Sequence, residues 1–186
     1  DSVAIGKDAM TTATTSDSST AVGTSSMSAT TTGNDNTAVG WRSLYANTTG
    51  PQNVAVGKSA LVANTTGEAN TGIGYNAGLA ITTGTNNICI GQTAGDALTT
   101  GSNNSALGTG TAFSAVNVTN EIVIGSGRTG IASNTAFIGG TSGAYNGENN
   151  SAWSTTSDKR IKNNIKDNDL GLDFINLLKP RKFNKV

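Results

Sequence analysis

The chain has no histidine, only one cysteine, two prolines and few aromatic residues. Without histidine, and with Cys89 alone, a single chain can form neither an internal disulfide nor a Cys/His metal site. The sequence contains no run of about 18 apolar residues, the length that a membrane-spanning helix needs. We therefore expect no metal, no cofactor and no membrane insertion.

Apolar residues are also scarce, at 35% of the 186 residues, with 5% aromatic. Such a chain cannot build a thick core, so it is either a disordered low-complexity polymer or a repetitive solenoid whose thin core is renewed in every coil. Residues 1–156 carry four Lys/Arg and eight Asp/Glu, whereas residues 157–186 carry eight and four. This change places a boundary near Ser157, and the basic end is too short and too mixed to predict nucleic-acid binding.

A glycine that follows an aliphatic residue recurs at a strict interval of 17 residues. The members of this first glycine column are Gly6, Gly23, Gly40, Gly57, Gly74, Gly91, Gly108 and Gly125, and Gly139 follows after 14 residues. A fixed period of this length is typical of solenoids. We predict an all-β fold, a parallel β-solenoid or β-roll of 17-residue coils, over residues 1–140.

Two apolar columns precede the first glycine column. The aliphatic column is Ile5, Val22, Val39, Val56, Ile73, Ile90, Leu107 and Ile124, and the small-residue column, one position earlier, is Ala4, Ala21, Ala38, Ala55, Gly72, Cys89, Ala106 and Val123. Neighbouring strand residues point to opposite faces. We therefore expect the aliphatic column to fill the coil and the small-residue column to contact neighbouring chains, unless alanine merely tolerates exposure. Cys89 is expected to be a small packing residue rather than a redox group.

Further columns predict the rest of each coil, which would continue past the glycine corner with a second short stretch such as Ser43–Ala46. A second glycine column follows a Thr-Thr pair each time and comprises Gly33, Gly50, Gly67, Gly84 and Gly101. We expect these glycines to form turns with φ > 0. Three residues later stand Asn36, Asn53, Asn70, Asn87 and Asn104. Stacked one coil apart, their amides are expected to form a hydrogen-bonded ladder.

The motifs Ser2-Val3-Ala4-Ile5-Gly6, with Ala9, and Asn53-Val54-Ala55-Val56-Gly57, with Ser59-Ala60, carry a resemblance to a known family. They resemble the head repeats of trimeric autotransporter adhesins, the YadA-like left-handed β-roll. That family's unit has 14 residues rather than 17, and the Thr-Thr-Gly turn accommodates the surplus. The resemblance covers residues 1–140 and implies a homotrimer.

Beyond residue 140 the pattern changes. Residues 141–156 are predicted to be a linker or fibre transition, and residues 157–186 a separate segment with a short helix over 171–178 that Pro180 ends. Ser157 to Lys162, Asn164-Ile165 and Leu178-Lys179-Pro180 resemble the start of the intramolecular chaperone domain of endosialidases and phage tail spikes. The resemblance implies trimerisation and self-cleavage between Thr156 and Ser157, with Ser157 as nucleophile and Lys162 as its base. Otherwise Ser157 is a capping residue and Lys162 a solvated charge.

Together these features predict a structural trimeric fibre or spike segment of a viral (phage) tail that takes part in host attachment and has an auto-cleaved chaperone. The alternative is a bacterial trimeric surface adhesin or extracellular filament. The repeat region shows no acid/base pair suited to glycoside hydrolysis. The expected partners are copies of the chain and a host glycan or protein receptor, with no nucleic acid. Trp41, Tyr45 and Tyr75 either stack on sugars or simply cover the coil.

Overall fold

The computed structural model describes residues 1–139, which contain nine strands of three residues each. The strands are β1 (Val3–Ile5), β2 (Thr20–Val22), β3 (Thr37–Val39), β4 (Val54–Val56), β5 (Thr71–Ile73), β6 (Ile88–Ile90), β7 (Ser105–Leu107), β8 (Ile122–Ile124) and β9 (Ala136–Ile138). They pair in parallel, in chain order, as one sheet. The predicted all-β parallel solenoid of 17-residue coils is therefore confirmed. Within this part of the chain no helix is long and apolar enough to cross a membrane.

The 17-residue period sets the register of the sheet. In the β3–β4 pair, Ala38 lies beside Ala55 and Val39 beside Val56, so each column of the sequence becomes a row across the strands. The β8–β9 pair keeps the same register over the shorter interval, with Ile124 beside Ile138. At about 4.8 Å for each strand spacing, the eight steps give a rod roughly 38 Å long.

The first glycine column forms the corner at the end of each strand. Gly40 has φ +131°, and a Cβ added there would lie 2.7 Å from the carbonyl oxygen of Gly57 in the next coil. Only glycine combines this backbone conformation with so close an approach of the next coil. The same corner is repeated along the column, so the coils can stack without a gap.

Past the corner, the coil is built of turns rather than a second strand. Arg42 and Leu44 both have left-handed backbones, with φ 52° and 50°, so the second short stretch of the coil, Ser43–Ala46, consists of turns. A left-handed leucine is strained by about 1 kcal/mol or more. Bonds between coils hold this conformation, because the Leu44 N–H donates to the Ala60 carbonyl at 2.9 Å and the Arg42 N–H to the Thr24 carbonyl at 3.0 Å.

The interior is lined by the small-residue column, which reverses the prediction. Ala38, Ala55 and Cys89 are completely buried, whereas the aliphatic Val39 and Val56 next to two of them point outward. The reason is the width of the coil. At Gly72, a single added Cβ would lie 2.8 Å from Leu61 Cγ, so no valine or isoleucine would fit there.

The large apolar side chain inside the coil comes from one of two positions that lie three residues apart. Leu44 and Leu61 occupy the first position and are followed by Asn47 and Asn64 at the second, all fully buried. Gly78 and Gly95 then take the first position, and Ile81 and Leu98 take the second. An added Cβ at Gly78 would lie 2.7 Å from Leu61 Cδ2 and 3.0 Å from Ile81 Cδ1. The interior thus remains filled although its large side chain changes sides.

The predicted asparagine ladder is present and fully buried. Asn70 Oδ1 accepts the backbone N–H of Asn87 at 3.0 Å and also the Asn87 Nδ2 group at 3.0 Å. Asn70 Nδ2 donates to the carbonyl of Gly84 at 2.7 Å. Each amide therefore satisfies backbone groups of the following coil, which a buried polar side chain must do to be tolerated.

Glycine is required in the second glycine column for a different reason from the positive φ that the sequence suggested. Gly50, Gly67 and their equivalents do not have positive φ. At Gly33, an added Cβ would instead lie 2.7 Å from the Gly50 carbonyl oxygen and 2.9 Å from Asn47 Nδ2. Glycine is required here because the asparagine amides and the next coil leave no room for a side chain.

Candidate functional site

The outward side of the sheet, here called the outer face, is formed by the first and third residues of each strand. It consists of the aliphatic column together with Val3, Thr20, Thr37, Val54, Thr71, Ile88, Ser105, Ile122 and the ends of β9, Ala136 and Ile138. Val39, Ile73 and Leu107 are 37%, 39% and 45% exposed. None of the nine strands described within residues 1–139 contains a charged residue. The aliphatic column makes a continuous apolar row along this face, and an apolar row of this length is unusual for a protein surface that only meets water.

A second surface, here called the aromatic–basic patch, comprises Trp41, Arg42, Tyr45, Lys58 and Tyr75. The Lys58 Nζ atom lies 5.2 Å from the ring centre of Trp41 and 5.6 Å from that of Tyr75. The Arg42 guanidinium lies 5.3 Å from the Trp41 ring and 4.3 Å from the Tyr45 ring. The structure thus brings the three predicted aromatic residues together through two cations, at distances typical of cation–π contacts.

Sequence reasoning identified the rings of this patch and missed its cations. Trp41, Lys58 and Tyr75 each follow a member of the first glycine column directly, so they stand in one column of successive coils. Reading that column as a unit would have grouped Lys58 with the two rings. Arg42 could have been found as the neighbour of Trp41.

Cys89 lies in the small-residue column and is completely buried. Burial, with a smaller contribution from the charge of Asp96, raises the pKa of the Cys89 thiol to about 12. At neutral pH the thiol is therefore protonated, and a protonated, buried thiol is a poor nucleophile. The position agrees with the packing role that the sequence predicted.

Glu121 occupies the asparagine column at its C-terminal end and is fully buried. Its Oε2 atom accepts the Ser114 N–H at 2.9 Å and the Ser114 hydroxyl at 3.1 Å, and its backbone N–H donates to Asn104 Oδ1 at 2.9 Å. The glutamate is therefore the last member of the ladder, and its hydrogen bonds with Ser114 fix the loop before β8. Within residues 1–139 no group of three or more His, Cys, Asp or Glu side chains is placed to hold a metal ion.

The predicted self-cleavage residues, Ser157 and Lys162, and the Thr156–Ser157 bond lie outside the described residues. The predicted linker over 141–156 and the helix over 171–178 lie outside them as well. The self-cleavage site therefore remains a prediction from the sequence.

Comparisons with known proteins leave the family open. No family model matches the chain, and no curated protein and no solved structure is significantly similar to it. What the structure establishes is the parallel solenoid itself. The resemblances to adhesin head repeats and to a tail-spike chaperone remain expectations drawn from the motifs.

Proposed function

We propose that this chain is a structural segment of a trimeric viral tail fibre or spike that takes part in attachment to a host. The observation that carries the proposal is the uncharged apolar outer face of the β1–β9 sheet. Burying apolar surface is the main favourable term in protein association, at about 25 cal/mol for each Å². A face that runs the length of a rod favours side-by-side association of identical chains.

The contact surface in this proposal differs from the one suggested by the sequence. The aliphatic column, and not the small-residue column, would meet the neighbouring chains. Val39, Val56 and Ile73 repeat in register, so a parallel copy would meet the same pattern along its whole length. A closed symmetric assembly lets every copy place the same face against its neighbours. The number three comes from the resemblance to adhesin head repeats.

The viral assignment rests on the motif from Ser157 to Lys162 and its resemblance to a tail-spike chaperone. The alternative is a bacterial trimeric surface adhesin or extracellular filament, which the head-repeat motifs favour equally. Any sequence that the gene encodes beyond Val186 would distinguish the two. A continued chaperone domain supports the fibre, and a membrane β-barrel anchor supports the adhesin.

Sedimentation equilibrium of the 186-residue chain tests the assembly. We expect a trimer that dissociates in the double variant Val39→Lys/Val56→Lys, because two charges in each chain would be buried without partners. The matched control is Thr66→Lys/Thr83→Lys, at exposed threonines that directly precede the second glycine column and lie outside the strands, and it should stay trimeric. A wild-type chain that is monomeric at high concentration would refute the assembly.

Mass spectrometry of the intact gene product tests the self-cleavage. We expect a new N-terminus at Ser157 in the wild type, and an uncut chain in Ser157→Ala and in Lys162→Met. Cleavage that persists in Ser157→Ala would contradict the assigned nucleophile.

A further inference from the structure

The aromatic–basic patch concentrates residue types that are rare elsewhere in the solenoid. Among residues 1–139, every tryptophan and tyrosine belongs to it, as do two of the four basic residues, which are Lys7, Arg42, Lys58 and Arg128. Equivalent positions in other coils hold Thr24 and Gln92 on the same backbone. Covering the coil therefore does not require an aromatic ring, and the clustering needs another reason.

The rings of the patch are accessible and spaced along the rod. Trp41 and Tyr75 are 45% and 44% exposed. They stand two coils apart, about 9.6 Å by the strand spacing, with exposed Lys58 between them. Contacts with the rings already hold Lys58 and Arg42 in place, so less side-chain entropy is lost when a ligand binds.

We infer that the patch binds an acidic glycan, whose sugar rings stack on Trp41 and Tyr75 and whose acidic group is bound by Lys58 and Arg42. Aromatic faces offer a flat apolar surface to the C–H groups of a pyranose. An extended sugar unit advances a glycan by about one strand spacing. A glycan aligned with the rod would therefore place alternate sugars over the two rings. The guanidinium of Arg42 offers paired donors that suit a carboxylate or sulfate.

The charge of the solenoid favours a glycan over a nucleic acid. Residues 1–139 hold four Lys/Arg against seven Asp/Glu, so the solenoid as a whole is net negative. Nucleic acids carry a phosphate at every nucleotide, and proteins that bind them present a basic stripe. Two cations suit a polymer with an occasional acidic group.

The inference rests on the proposed attachment function and names the class of receptor. Isothermal titration of the 186-residue chain would compare three probes: a hexasaccharide of alternating uronic acid and N-acetylhexosamine, the neutral hexamer of N-acetylglucosamine, and a thymidine hexanucleotide. We expect the acidic hexasaccharide to bind best, and its affinity to fall with ionic strength.

Variants assign the binding to the patch. Trp41→Ala and Lys58→Gln should each weaken binding of the acidic hexasaccharide by about tenfold. Tyr75→Phe should bind like the wild type because the ring is kept, whereas Tyr75→Ser should lose affinity. Lys7→Gln is the matched control, since Lys7 holds the equivalent position in the first coil, and it should leave the affinity unchanged.

Three outcomes would overturn the inference: equal binding of the neutral hexamer, tighter binding of the oligonucleotide, or no binding of any probe. Sedimentation of the same samples separates the two proposals. A trimer that binds no glycan refutes only the inference, and a monomer refutes the fibre assembly.

Discussion

The inner and outer faces of the β1–β9 sheet are formed by neighbouring residues of each strand, yet they differ in side-chain size and in exposure. The inner face carries alanine, glycine and cysteine, with Val123 in β8, against Leu44, Leu61 and the asparagine column, and it is buried within the chain. The outer face carries valine, isoleucine and leucine and remains exposed in the single chain. Within most of the strands the larger apolar residue points outward and the smaller one inward, and the large buried side chains come from the turns across the coil.

The largest expected effect is at the buried ladder inside the coil. Asn70→Ala removes the acceptor of the Asn87 N–H and the donor to the Gly84 carbonyl. Leaving these groups buried and unpaired should lower the free energy of unfolding by about 3 kcal/mol, measured by urea denaturation at fixed protein concentration. Asn117→Ala, at an exposed asparagine, is the control and should change it by under about 0.5 kcal/mol. Equal losses in both variants would show that the ladder does not stabilise the fold.

Enlarging a side chain on the inner face and shortening its neighbour on the outer face tests most directly whether the two faces have different roles. Ala55→Val overfills the interior and should cost about 2 kcal/mol at every protein concentration. Val56→Ala only trims the outer face, so its effect on Tm should depend on protein concentration, as expected for weakened association. Thermal unfolding across a dilution series measures both. A larger, concentration-independent loss in Val56→Ala would show that the two faces are assigned the wrong way round.

Alkaline pH should reveal the buried thiol of the inner face. The pKa of the Cys89 thiol is about 12 in the fold, against an ordinary value of 9.0. Between these values the unfolded chain binds fewer protons than the folded one. The contribution of the thiol to the free energy of unfolding is therefore fully present below pH 9 and is lost as the pH rises toward 12. By pH 10 the loss should be about 1 kcal/mol. Cys89→Ala should lack this component of the pH dependence, and identical pH profiles would contradict the burial.

The smallest expected effect on stability is in the aromatic–basic patch. Lys58→Gln removes two cation–π contacts at an exposed site and should cost about 0.5 kcal/mol. Lys7→Gln should cost less, because no cation–π contact involves Lys7 among the described residues. Chemical denaturation of both variants would measure the difference. A loss of several kcal/mol in Lys58→Gln would mean that the patch serves the fold rather than a ligand.

Much of the solenoid could be predicted because stacked coils must repeat their backbone. A strand such as Thr37–Val39 pairs in register with the next one because each coil repeats the same backbone path, and the regular spacing of the glycines displays that repetition. The ladder through Asn70 and Asn87 followed from the same repetition. The conformation of Gly50 could not be predicted in this way, since a glycine chosen for space and one chosen for positive φ look alike in a sequence.

The candidate surfaces could be predicted only in part. Trp41, Tyr45 and Tyr75 were identifiable from the sequence as candidate sugar-stacking rings, but the contacts that Arg42 and Lys58 make with them depend on side-chain positions that only the fold sets. The assignment of Ser157 and Lys162 rests on a sequence motif alone. It stays a prediction, because both residues lie beyond residue 139.

The sequence by itself determined the period, the corners and the parallel register, because each of these follows from one residue type recurring every 17 positions. The tertiary structure alone decided which side of the sheet faces inward. Ala55 and Val56 are both apolar, so hydrophobicity cannot choose between them. The choice is made by the large side chains that cross the coil, such as Leu61, which leaves no room for a valine or isoleucine at Gly72.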